Sequence, residues 1–96
     1  MIDTIENKNL GTVLFVDDED LILQMVQNVF EAAPFQVLTA TDASNAMEIL
    51  NSNPASIIIS DYKMPEVNGL ELLSRVKEEF PATRRVIGTG YIEELE

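Results

Sequence analysis

Ninety-six residues, 46% hydrophobic and 24% charged, match one small folded domain with one core. The absence of cysteine excludes disulfides and thiolate metal sites, and the absence of histidine excludes His-based general-base catalysis and most zinc centres. Six basic against seventeen acidic side chains give a net charge of −11, which opposes direct binding to nucleic acid or anionic membranes and favours a cation or a basic partner surface.

Residues 1–10, "MIDTIENKNL", are polar and read as a leader ahead of a domain over 11–96. They lack the basic region and apolar core of a secretory signal, and no apolar run approaches a membrane span, so a soluble cytoplasmic protein is expected. "TVLFVDDE" gives a short apolar run, Val13 to Val16, closed by acids and read as a buried strand. In "DLILQMVQNVFEAAP", Ile22, Met25, Val26, Val29 and Ala33 recur at helical spacing until Pro34. "FQVLTA" is a second strand. "TDASNAMEILN" is a second helix, with Thr41 or Asp42 as N-cap and Ala43, Ala46, Met47 and Leu50 on one face. "SIIIS" is a third strand whose unbroken apolar run predicts burial on both faces, as in a parallel sheet. A loop over 62–69 leads to a third helix, "LELLSRVKEEF", with Leu73, Val76 and Phe80 inward and Pro81 at its end. "RRVIGTG" is a fourth strand, and "YIEELE" starts a further helix.

This β-α-β-α-β-α-β order predicts an α/β fold, a parallel sheet with helices on both faces. Such sheets bind ligands beyond the carboxyl ends of their strands. Strand one ends at Asp17 and Asp18, strand three at Asp61 and strand four at Thr89. Taken singly, the aspartates read as helix-start or loop residues and Thr89 as a strand residue. Taken jointly, three carboxylates meet in one pocket, where like charges raise one another's pKa. A hard divalent cation relieves that repulsion, and an oxygen-only donor set suits Mg²⁺.

The motifs "FVDDE" (15–19), "SDYKMPEVNGLELL" (60–73) and "VIGTGY" (86–91) make residues 12–93 resemble the receiver domain of bacterial two-component response regulators. The resemblance implies a flavodoxin-like three-layer α/β/α fold with strand order 2-1-3-4-5. It implies that Asp61 accepts a phosphoryl group from a sensor histidine kinase or phosphotransfer protein, that Asp17, Asp18, Asp61 and the backbone carbonyl of Lys63 hold Mg²⁺, and that Thr89 hydrogen-bonds the phosphoryl group and acts in the switch. "TGY" resembles a receiver subgroup that precedes phosphodiesterase or sigma-54 activator output domains, so an output domain is expected in a longer chain.

The match also departs from the family. A receiver's fifth strand ends in a lysine, and Lys8, Lys63 and Lys77 do not occupy that position. The domain is therefore expected to be C-terminally incomplete, its last strand and helices absent. The strand-four edge is expected to invite self-association or exchange of elements between chains. Two other functions compete with a phosphoacceptor: a phosphorylation-independent interaction module and a Mg²⁺-dependent phosphohydrolase. The hydrolase is disfavoured because its second acid belongs at the position of Lys63. A flavin-binding module is disfavoured because "VDDED" repels phosphate.

Overall fold

The computed structural model describes residues 11–88. Seven elements follow the expected alternation: β1 (Thr12–Val16), α1 (Asp20–Val29), β2 (Gln36–Ala40), α2 (Ala43–Ser52), β3 (Ile57–Ser60), α3 (Gly69–Glu79) and β4 (Arg84–Ile87). The strands form one sheet in the order β2-β1-β3-β4, and every ladder is parallel. Among the described residues β4 has a ladder on one side only, through β3.

Alternation of side chains across the pleat assigns the two faces. Leu14 and Ile58 are fully buried and share one cluster with Ala46 and Leu50 of α2 and Leu72 and Val76 of α3. This face holds the core, and full burial of each such side chain contributes roughly 1.5–3 kcal/mol. Phe15 and Ile59 point to the other face, beneath Leu23 and Val26 of α1. That cover is thinner, so Ile57 and Ile59 are only half-buried and β3 alternates instead of being buried on both faces. The unbroken isoleucines therefore overstate the burial of one side.

Two features of α1 differ from the sequence expectation. The helix stops at Val29 with Phe30 as its C-cap, short of Pro34. The cause is aromatic: Phe30 lies 5.8 Å from Phe15 and 5.6 Å from Phe35 between ring centroids, which pulls the chain out of helix and toward β2. The phase also shifts. Leu23, Val26 and Phe30 turn inward, whereas Met25 is 59% and Val29 71% exposed. In α2 the N-cap is Asp42, whose carboxylate accepts from the Asn45 N–H at 2.7 Å.

Candidate functional site

Val16 and Ser60 are Cα partners across the β1–β3 ladder. The next residue of each strand is an aspartate, so register alone brings Asp17 and Asp61 to the same carboxyl edge. Backbone bonds fix both: the Asp61 N–H donates to the Val16 carbonyl at 2.9 Å, and the Asp17 N–H to the Ala40 carbonyl at 3.1 Å. Asp18 follows Asp17 into the β1–α1 turn. Asp17, Asp18 and Asp61 each offer one carboxylate oxygen, and these oxygens lie within 4.8 Å of one another.

Exposure grades the three groups. Asp18 is exposed, Asp17 half-buried and Asp61 buried at 8% exposure. Burial pushes the Asp61 pKa up, the Asp17 charge adds to the rise, and the Tyr62 N–H, donating to Asp61 Oδ1 at 3.0 Å, opposes it. Asp17 is raised for the same first cause, burial, against a 2.9 Å bond from the Glu19 N–H. Three hard oxygen donors at this spacing fit a divalent cation such as Mg²⁺, which would neutralise the repulsion. Glu19, read in the sequence only as part of an acidic turn, also raises Asp61 through its charge. Its contribution was hidden because it comes from the turn path.

The loop after Asp61 is held from several sides. The Ser60 hydroxyl donates to the Asp61 carbonyl at 2.9 Å, and the Gly69 N–H donates to the Tyr62 carbonyl at 2.8 Å. A side chain at Gly69 would overlap the Asp61 carbonyl oxygen, so only glycine lets the α3 start close against the end of β3. Between them Glu66 takes φ 67°, with the Val67 N–H donating to the Pro65 carbonyl across it at 2.7 Å. Met64 is buried and anchors the loop in the core. Lys63 is exposed two residues beyond Asp61. Thr89 lies outside the described residues, but the Gly88 N–H donates to the Ser60 carbonyl at 3.0 Å and brings the end of β4 beside the aspartates. Beside the site lies a cavity of about 200 Å³, where Phe15, Ile22, Leu23, Val26 and Ile59 form apolar walls and Asp17, Asp61 and Gly88 a polar end.

A family model described as the response regulator receiver domain matches residues 13–95. Among curated proteins, the hydrogenase transcriptional regulatory protein HoxA of Cupriavidus necator is 35% identical over 86% of this chain and 17% of its own length. The two-component response regulator ORR5 of Oryza sativa subsp. japonica is 37% identical over 77% of this chain and 56% of its own. The chain thus spans a sixth to about half of these relatives. Among solved structures, the signal receiver domain of an HD domain-containing protein from Pseudomonas fluorescens Pf-5 superposes with a TM-score of 0.79 at 33% identity, covering 82% of this chain and 63% of that one.

Proposed function

Because the chain belongs to the response regulator receiver domain family, we propose that Asp61 is a phosphoacceptor, charged by a sensor histidine kinase or phosphotransfer protein. The observation that carries this reading is the meeting of three carboxylate oxygens within 4.8 Å at the ends of β1 and β3, with Asp61 the most buried. One carboxylate oxygen of Asp61 bonds to phosphorus as the bond to the donor breaks, which leaves an acyl phosphate. The Tyr62 N–H and the β1–β3 register orient that oxygen. Asp17, Asp18, Asp61 and the Lys63 carbonyl would hold Mg²⁺, which supplies charge neutralisation on the transferring group when bound. Thr89, the residue after Gly88 in the sequence, would donate a hydrogen bond from its hydroxyl to the phosphoryl group on Asp61 and act in the switch. No helix among the described residues is long and apolar enough to cross a membrane, which accords with a cytoplasmic module passing its signal to an output domain elsewhere in a longer chain.

Borohydride trapping followed by peptide mapping tests the acceptor. Label at Asp61 is expected, and label at Asp17 or Asp18 in its place refutes the assignment. Mg²⁺ should raise the melting temperature of the wild-type protein by mass action, and Asp18→Asn should reduce that response. An equal Mg²⁺ response in both proteins would contradict the metal assignment.

A further inference from the structure

Asn68 and Gly69 form the one Asn-Gly pair of the chain. Asparagine is a chemically labile residue, and glycine after it removes the steric shield from the following backbone nitrogen. In the reaction, the Gly69 nitrogen bonds to Asn68 Cγ and the Cγ–Nδ2 bond breaks. Nδ2 leaves as ammonia, taking up the Gly69 amide proton. Water then opens the cyclic imide at one carbonyl or the other, giving aspartate or isoaspartate.

Two hydrogen bonds and one backbone torsion oppose that path in the folded protein. The Gly69 N–H is engaged with the Tyr62 carbonyl at 2.8 Å. The Asn68 side-chain oxygen accepts from the Glu71 N–H at 2.9 Å as the N-cap of α3. Ring closure needs Cβ and the next nitrogen nearly eclipsed about the Cα–C bond, whereas ψ 172° at Asn68 keeps them staggered. We propose that Asn68–Gly69 is a spontaneous deamidation site held inactive by these bonds and this backbone geometry, and that local opening of the loop between β3 and α3 releases it. The two products differ. Aspartate is as good an N-cap as asparagine. Isoaspartate adds a backbone carbon next to Gly69, where even a methyl group would strike the Asp61 carbonyl. The isoaspartyl form therefore displaces the loop that follows Asp61. The covalent chemistry and the loop displacement stand independently of the phosphoacceptor reading.

The test holds the chain at mildly alkaline pH, native and in urea, and maps isoaspartate by peptide mass and isoaspartyl methyltransferase labelling. Conversion at residue 68 is expected roughly tenfold or more faster in the unfolded chain, since exchange-like chemistry in a native protein requires local opening. Asn68→Ser should abolish it, and Asn51–Ser52 within α2 serves as an internal reference. Equal native and unfolded rates, or no isoaspartate at residue 68 in urea, would overturn the proposal. Refolded isoaspartyl protein, separated by ion exchange, should melt below the Asn68→Asp variant, and equal melting would overturn the displacement. Phosphorylation of the fresh protein is scored separately, so failure of the acceptor assignment leaves these outcomes readable.

Discussion

Asp61 is buried beside two other acids, and its folded pKa is raised. A carboxyl group whose pKa rises on folding favours the protonated state, so its relative contribution is best below the unfolded value, near 3.9, and is lost as pH climbs through the raised folded value. In metal-free buffer at neutral pH, Asp61→Asn should therefore raise the melting temperature by a few degrees, and the gain should shrink as pH falls toward 4. Melts across that range check it, and a gain that grows toward low pH would contradict the sign. Gly69→Ala acts in the opposite direction. Its methyl group overlaps backbone at the Asp61 carbonyl, where no rotamer change relieves it, so a loss of about 2 kcal/mol or more is expected in urea unfolding. The three aspartates were legible in the sequence because parallel register needs only strand ends to place them. The grading of their burial was not, because it depends on how closely α1 and the loop after Asp61 cover the edge.

Among the elements, α2 and α1 show how far periodicity reaches. The α2 face of Ala43, Ala46 and Leu50 is buried as spaced, and Asp42 supplies one defined cap. Asp42→Ala should cost about 1 kcal/mol, read as a lower urea midpoint with unchanged slope. A neutral result would mean that the cap bond to Asn45 contributes nothing net. For α1 the sequence offers apolar residues at Leu21, Ile22, Leu23, Met25, Val26 and Val29, enough to draw more than one stripe. Composition cannot choose among them; the packing of α1 on the sheet does, burying Leu23 and half-burying Val26 while Leu21, Met25 and Val29 stay exposed. The end of α1 was hidden for a related reason. Proline marks where a helix cannot continue, whereas Phe30 leaves earlier to reach Phe15 and Phe35, partners that are neighbours only in the fold.

For the whole molecule, β1 lies inside the sheet with β2 on one side and β3 on the other. Among the described residues no two sequence-adjacent strands form a hairpin, since every ladder is parallel. Even the nearer pairing, Thr12 to Gln36, joins residues 24 apart, and a helix must be spanned before each ladder closes. Loop-closure entropy is thus paid before contacts repay it, and mixed α/β domains of this kind condense more slowly than helical bundles. β1 is the strip against which both β2 and β3 pair, so its side chains are expected to be engaged in the folding transition state. Leu14→Ala should destabilise by about 2–5 kcal/mol, with most of the loss appearing as slower refolding. The same truncation at Ile87, on a strand laddered only to β3 among the described residues, should appear mainly as faster unfolding. Stopped-flow refolding of the two variants would expose the order in which the sheet comes together, and matching slow refolding in both would mean that the strands condense at once.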